Sequence, residues 1–466
     1  MPENFDVVVI GAGPAGYVAA IRAAQLKQKV AIVDKQWLGG VCLNVGCIPS
    51  KSLLRNAEIA HILRERGKDF GFAMDNLKLD YSVAVKRSRQ NSDRLTKGVG
   101  FLMKKNGITV FMGSAHLSGP TAVTVTDKDG KATELSAKNI IVATGASAAA
   151  PAAWKIDGQK VVTYWEAILQ TTLPKSVVVI GSGAIGVEFS TVWSSYGVDV
   201  TIVEMLPRLV PLEDEEVSKE LEKEFKKRGI KFMTGHKVES VEATDSGVKV
   251  VVSADDKETV LEADQALVAI GFRPNSKGLG LEEVGVQVSE RGFIEINEKM
   301  QTSVPNIYAI GDVTGKLMLA HVGSAMGIVA AETIAGVETV ALDYEMMPRA
   351  TYCQPQIASF GLTEAQARER GYTVKIGRFP FQPNGKALGI GDYAGFVKLV
   401  IDEKYGEILG AHMIGPEVTE LLPELTLAHM MELTPHEIAR NVHAHPTLSE
   451  AIMEAAHAAE GSAIHI

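Results

Sequence analysis

The chain has 466 residues, of which 46% are hydrophobic and 22% charged, with a formal net charge of −9. That length exceeds what one hydrophobic core can organise and predicts roughly three domains; the acidic balance, with no basic block, disfavours a nucleic acid as partner. Three cysteines cannot build a disulfide framework, so any pairing among them needs a chemical reason rather than a stapling one.

The first predicted element is a buried strand, Phe5 to Ile10. It follows Met1 so closely that a secretory n-region, h-region and cleavage site find no room, and a cytoplasmic protein that starts with structure is the expectation. The strand runs straight into Gly11, Gly13 and Gly16 in GxGxxG spacing, then an Ala-rich helix, then a second strand ending at Asp34. The Ala-rich apolar stretch from Ile140 to Trp154 is broken by Thr144, Gly145, Ser147 and Pro151 and falls short of the ~18 apolar residues a membrane helix needs, so no membrane insertion is expected.

The opening unit returns without a gap from Ser176, with Gly181, Gly183 and Gly186 in the same spacing and a second strand ending at Glu204; the offset, 181 − 11, is 170 residues, and Asp34 and Glu204 keep it. In such a unit the first glycine makes the turn, the second admits a pyrophosphate, and the third lets the helix pack on the strand. The acid at the end of the second strand accepts a ribose hydroxyl. A single copy is a weak signal because Gly-rich turns between strand and helix are common; two copies with matching acids predict two bound dinucleotides. From Gly11 to Gly145 is 134 residues and from Gly181 to Gly271 is 90, so the first copy carries about 44 more, including the cysteine segment. A resident cofactor suits the first site and a diffusing nicotinamide the second, where Glu204 would repel a 2′-phosphate and so favours NAD over NADP.

Within the added residues, Leu38 to Lys51 holds Cys42 and Cys47 with Gly46, Pro49 and Lys51 around them. A disulfide closes so short a loop only if the segment curls into a helical turn. A free cysteine packs as a small hydrophobe, which is the reading for Cys353, whose neighbours offer no partner.

The Gly39–Lys51 segment resembles the redox-active motif of the pyridine nucleotide–disulfide oxidoreductases. The likeness extends over nearly the whole chain, through both fingerprints, the turn Ala143–Gly145, the run Tyr308–Asp312 and the C-terminal run His443–Glu450. Within that family the chain is most similar to the enzymes that oxidise dihydrolipoamide with NAD. The resemblance implies an α/β fold with two Rossmann-like dinucleotide-binding domains, a central region and an α+β C-terminal dimerisation domain. It places an FAD domain at 1–148, an NAD domain at 149–273, the central region at 274–345 and the interface domain at 346–466.

It also implies roles. Cys42 would meet the substrate thiol and Cys47 would lie against the flavin as a thiolate, favoured below its free pKa of about 8.5 by a nearby cation, with Lys51 paired to Glu188 as the candidate. His445 would be the general base, oriented by Glu450 and acting in the active site of the other subunit of a homodimer; an imidazole titrating near pH ~6.5 suits that work. Nearby His443 is the alternative. Asp312 would accept from the FAD ribityl chain. Lys35, Lys51, Ala115, Thr144, Gly145, Ala320, Val238 and Gly271 join the two fingerprints and their acids as cofactor-binding residues, and no metal is expected. A lipoyl-bearing acyltransferase or a glycine cleavage carrier protein would supply the dithiol.

Two positions depart from the family pattern. Val322–Gly327 stands where an acid-rich stretch is common, and Gln356 where an acid is common. Rival readings are an NADPH-dependent reductase, which would want arginines beside Glu204 where only Arg208 follows, and a flavoprotein used as a binding module, which the net charge and the intact cysteine pair oppose.

Overall fold

The computed structural model describes residues 3–465. The chain forms two compact units: one from the N-terminal residues to Ser52, Ser82–Ala149 and Gly271–Tyr344, the other from Leu53–Tyr81, Ala150–Ile270 and the segment from Glu345 onward.

The first unit is built on one sheet. Its strands lie in the order Thr109–Met112, Val30–Asp34, Glu3–Ile10, Ala132–Val142, Ala122–Thr126, Ser114–Gly119, with Ile307–Ala309 also on Ala132–Val142. Parallel pairing puts Val7 beside Val30 on one side and Asn139 on the other. Val7, Val8, Val9, Ala31 and Ile32 are fully buried, the continuous apolar run that a parallel strand covered on both faces requires. On the edge away from Glu3–Ile10, the eleven-residue strand Ala132–Val142 serves two further neighbours: its first half runs antiparallel to Ala122–Thr126, and its last residues run parallel to Ile307–Ala309. The turns after Val142 and after Ala309 therefore open at the same end of the sheet, where α/β folds bind ligands.

The helix Pro14–Gln25 packs on the helix Ala320–Ala335 through glycines. A Cβ on Gly323 would come within 3.1 Å of the Ala15 Cβ, and one on Gly327 within 2.6 Å of the Ala15 carbonyl oxygen. Arg22 closes the crossing by donating to Glu332 at 2.6 Å. This explains the departure at Val322–Gly327: the small residues there set the helix spacing.

In the second unit a parallel sheet runs Lys231–Thr234, Asp199–Glu204, Ser176–Ile180, Gln265–Val268, Val161–Val162, and a three-stranded antiparallel sheet, Lys237–Ala263, accompanies it. The C-terminal part is a five-stranded antiparallel sheet in the order Arg349–Thr351, Gln356–Gly361, Ile408–Gly415, Phe396–Asp402, Val374–Pro380. Helices Val418–Met430 and Glu450–Ala459 bury Leu422, Leu425, Ile452 and Ala455 in its core. The alternating and helical patterns of the sequence predict strands at Gly395–Ile401 and Ile408–Ile414 and helices around Glu417–Met431 and Leu448–His457, and the observed elements lie within two residues of each of these bounds.

Polar groups join the helix Glu215–Lys227 and the loop before it to the C-terminal sheet within this unit. Lys398, 2% exposed, reaches Asp214 at 3.1 Å, Glu216 at 2.7 Å and Glu364 at 2.9 Å. Ser359 donates to Glu213 at 2.6 Å. Among the described residues no helix is long and apolar enough to cross a membrane.

Candidate active site

The first fingerprint turn has the geometry its glycines require. Gly11 sits at φ +107°, and a Cβ there would strike the Ala143 carbonyl oxygen at 2.2 Å; a Cβ on Gly16 would meet the Gly11 carbonyl oxygen at 1.8 Å. Gly13, the N-cap of Pro14–Gln25, has nothing within 4 Å of that position. The turn is therefore closed toward the protein and open where a pyrophosphate would approach the helix N-terminus. Asp34 accepts from the Ala12 N–H at 2.8 Å with one carboxylate oxygen, and from Gln36 and Trp37 with the other. Lys35 beside it is exposed.

The second copy repeats this at its own numbers. Gly181 lies at φ +100° with the Ala269 carbonyl oxygen at 2.4 Å from a built Cβ; Gly186 meets the Gly181 oxygen at 2.0 Å, and Gly183 is open. Glu204 accepts from the Ser182 N–H at 2.9 Å. Val238 lies on the strand Lys237–Ala243 beyond the acid, and Gly271, at φ +123°, accepts from the Ala149 N–H. Arg208, the cation an NADP site would want, is folded back, donating to the Pro211 carbonyl at 3.2 Å.

The cysteine segment is attached to the first turn. Gly39 donates to the Ala12 carbonyl at 2.8 Å, and Gly40, at φ +56°, comes so close to Gly13 that a Cβ would lie 2.6 Å from its Cα. Cys42 lies in the short helix Gly40–Val45 and Cys47 opens the helix Cys47–His61. The two are joined as a disulfide with Cα atoms 4.7 Å apart, the helical curl the five-residue separation demands. Both cysteines are partly accessible. The segment is held from the side by the helix Tyr81–Lys105. Arg89 donates to the Asn44 carbonyl, and the buried Asn44 side chain donates to Leu38 and Gly40 carbonyls at 3.0 and 2.8 Å. Lys51 lies one turn along the helix that Cys47 opens.

At the far side of the same sheet, Thr144 donates to the Asn275 carbonyl at 2.7 Å, and Asn275 donates back to the Thr144 carbonyl at 3.0 Å. Gly145 follows at φ +68°, and Ala115 lies on the strand Ser114–Gly119. Asp312 lies in the 3-10 turn Gly311–Thr314, directly after the strand Ile307–Ala309. Its carboxyl meets no donor among the described residues, and burial alone pushes it up to about 6 from an ordinary 3.8. A desolvated carboxyl without a donor fits a ligand hydroxyl, and with the open turn at Gly13 the first unit accommodates the expected FAD. Ala320 starts the helix Ala320–Ala335 beyond it.

In the second unit His445 and Glu450 come together. His445 Nδ1 lies 2.9 Å from Glu450 Oε1, and Glu450 Oε2 accepts from the Thr447 N–H at 2.8 Å. Burial raises the Glu450 carboxyl, but the Thr447 N–H and the His445 ring outweigh it and hold the group below its ordinary range. Thr447 is fixed in turn by donating to Ala444 and accepting from Asn384. The His445 side chain is 77% exposed, so Nε2 projects from the surface. His443 differs: its side chain is 4% exposed, Nε2 lies 2.9 Å from Glu424, and Nδ1 faces the Asn441 carbonyl at 2.8 Å. Glu188, on the helix Ala184–Ser195, is buried and accepts from the Tyr352 N–H at 2.9 Å. Cys353 is buried and its burial pushes the thiol far up, away from reactivity.

Sequence reasoning missed Asn44, Arg89 and Asn275, which hold the site through partners 45 and 131 residues away. It also missed the hydroxyl of Ser182, which donates to Glu204 at 2.7 Å. The last left a local signal, a serine in place of Ala12 between the first two glycines.

Residues 5–327 match the family model described as pyridine nucleotide-disulphide oxidoreductase, and residues 347–456 match the dimerisation domain of the same family. The dihydrolipoyl dehydrogenase of Mycobacterium leprae is 55% identical, with 99% of each chain covered. That of Bacillus subtilis is 44% identical with 100% of each covered. Among solved structures, LpdA from Mycobacterium tuberculosis superposes with a TM-score of 0.91 at 28% identity, covering 97% of this chain and 99% of that one. With two dinucleotide turns, a disulfide attached to the first and a matching C-terminal domain, the chain belongs to the pyridine nucleotide-disulphide oxidoreductase family.

Proposed function

We infer that the protein oxidises protein-bound dihydrolipoamide to lipoamide and reduces NAD⁺ to NADH, with FAD and the Cys42–Cys47 disulfide as its redox centres. The observation that carries this is the disulfide's attachment to the first dinucleotide turn, through Gly39 to Ala12 and Gly40 on Gly13. It is supported by the likeness to dihydrolipoyl dehydrogenases over the full chain.

The chemistry is thiol–disulfide exchange. A substrate thiol gives its proton to His445 of the partner subunit and attacks the Cys42 sulfur, the Cys42–Cys47 bond breaks, and Cys47 leaves as a thiolate. The second substrate thiol then attacks the substrate sulfur bound to Cys42, and Cys42 leaves and takes up that thiol's proton. The substrate leaves as a cyclic disulfide and two electrons remain on the two cysteines. Glu450 fixes the imidazole so that Nε2 points outward to take the proton, a contribution of about 10²–10⁴ in rate for a positioned acid/base group. A bound FAD would supply the two-electron chemistry that links the cysteine pair to NAD⁺. Lys51, one helical turn from Cys47, would favour the Cys47 thiolate. Gly11, Gly13, Gly16, Asp34, Lys35, Lys51, Ala115, Thr144, Gly145, Asp312 and Ala320 would hold FAD. Gly181, Gly183, Gly186, Glu204, Val238 and Gly271 would hold the nicotinamide nucleotide.

By ligand, the chain divides into FAD residues 1–148, NAD residues 149–273, a central region 274–345 and an interface region 346–466. The exposed His445 on a dimerisation domain fits a homodimer whose sites are completed across its interface. The dithiol carrier is a lipoyl-bearing acyltransferase or glycine cleavage carrier protein, and the setting is the cytoplasm. The test is a thiol count. Anaerobic NADH should expose two thiols per chain, and Cys42→Ser should abolish both this gain and NADH formation from dihydrolipoamide. Turnover by that variant would refute the role of the pair.

A further inference from the structure

We propose that Ser182 is the positioning residue that sets the preference for NAD over NADP, by locking the carboxylate of Glu204. The proposal deepens the NAD-dependent reading above and rests on it.

The two dinucleotide turns provide an internal comparison. At the first, Ala12 faces Asp34; at the second, Ser182 faces Glu204, and the residues correspond at the offset of 170. The backbone contact is the same in both, an N–H to carboxylate bond of 2.8 Å from Ala12 and 2.9 Å from Ser182. The glutamate has one more rotatable bond than the aspartate, so the same backbone donor leaves it one torsion freer. The second site closes that freedom with a side chain. Ser182 Oγ donates at 2.7 Å to Glu204 Oε2, the oxygen that already accepts the Ser182 N–H, while Oε1 accepts from Leu206 at 2.8 Å. A longer acid and a hydroxyl thus occur together, as do a shorter acid and a methyl.

The lock has consequences for recognition. An ionised carboxylate offers about four acceptor positions, and three are filled by Ser182 N–H, Ser182 Oγ–H and Leu206 N–H. One position on Oε1 remains for a ribose hydroxyl, in a fixed direction. Ser182 is fully buried and Glu204 is 8% exposed, so the carboxylate cannot swing into solvent to make room for a 2′-phosphate. The repulsion of that phosphate requires the charge to stay in place.

The following loop is tied to the same residue. Val210, β-branched and buried, adopts φ +42°, a conformation such residues rarely take. Its N–H lies 3.3 Å from the Ser182 carbonyl oxygen. The loop so pinned holds the Arg208 guanidinium on the Pro211 carbonyl at 3.2 Å, where it gives no counter-charge to a phosphate.

The experiment compares steady-state kinetics of the FAD-loaded wild type, Ser182→Ala, Glu204→Gln and the double variant, with dihydrolipoamide and either NAD⁺ or NADP⁺. Ser182→Ala is the residue the first turn itself carries at Ala12, which the backbone accommodates. Loss of one hydrogen bond to a charged group should reduce the NAD-to-NADP ratio of kcat/KM about tenfold. The loss should fall on the KM for NAD⁺ rather than on kcat, and the double variant should show no more than Glu204→Gln alone. A Ser182→Ala enzyme that binds FAD and keeps the wild-type ratio overturns the proposal, as does a double variant in which the two effects multiply. If Ser182→Ala lost FAD, Ser182→Thr, which keeps the hydroxyl, should restore both FAD and the ratio; restored FAD with a relaxed ratio also overturns it. Failure of the wild type to reduce NAD⁺ would instead refute the underlying function.

Discussion

The catalytic account depends on a few side chains whose surroundings differ sharply. His445 and His443 stand two residues apart, yet one projects from the surface with its Nδ1 held by Glu450 and the other is enclosed between Glu424 and Asn441. His445→Gln should lower kcat with dihydrolipoamide by about 10²–10⁴, and a near-wild-type kcat in steady-state assays would remove it from the mechanism. The hydrogen bond to Glu424 raises the pKa of His443 above its ordinary 6.5 despite partial burial. A raised histidine stabilises the fold fully below pH ~6.5 and loses that contribution as the pH rises through the folded-state value. Thermal midpoints should therefore fall over that window in the wild type and fall less in His443→Gln. Asp312 acts in the same direction in a lower pH window. With its carboxyl near 6 in place of 3.8, the FAD-free protein binds more protons than the unfolded chain between those values, so its stability should decline as pH rises from about 4 to 6. Asp312→Asn should flatten that decline in denaturation curves of the FAD-free protein; an unchanged slope would assign it to other carboxyls.

At the level of elements, a close constraint is the crossing of the helices Pro14–Gln25 and Ala320–Ala335, which places the first phosphate turn beside Asp312. Gly311 packs against Ala15 at the same point. Gly327→Ala would force a Cβ to 2.6 Å from the Ala15 carbonyl, and should cost about 1–3 kcal/mol. The measurement is thermal stability with the FAD content of the purified protein; unchanged retention and midpoint would mean the helices can separate freely. The strands that end in Asp34 and Glu204, the two glycine turns, the cysteine segment and the C-terminal strands were readable in the sequence because each is a local pattern of period or spacing. The supports were not. Arg89 reaches Asn44 from a 25-residue helix, Asn275 reaches Thr144 across 131 residues, and Gly327 answers to Ala15; no window of sequence contains both partners. The resemblance favoured His445 over His443 from the sequence, but the enclosure of His443 by Glu424 was not legible there, because the two lie 19 residues apart on different elements.

For the whole molecule, a homodimer that completes each site with the partner's histidine makes a test by complementation. Cys42→Ser and His445→Gln are each expected to be inactive, whereas a mixed dimer contains one site with an intact disulfide and an intact base. Equal mixtures should recover about a quarter of wild-type activity, since half the dimers are mixed and each has one complete site of two. No recovery after subunit exchange would place both groups in one subunit's site. The reaction itself is tested most directly by offering the FAD-loaded protein dihydrolipoamide with NAD⁺ and, in the same buffer, oxidised glutathione with NADPH. The account predicts rapid NADH formation in the first and no NADPH consumption in the second; consumption of NADPH without NADH formation would contradict it.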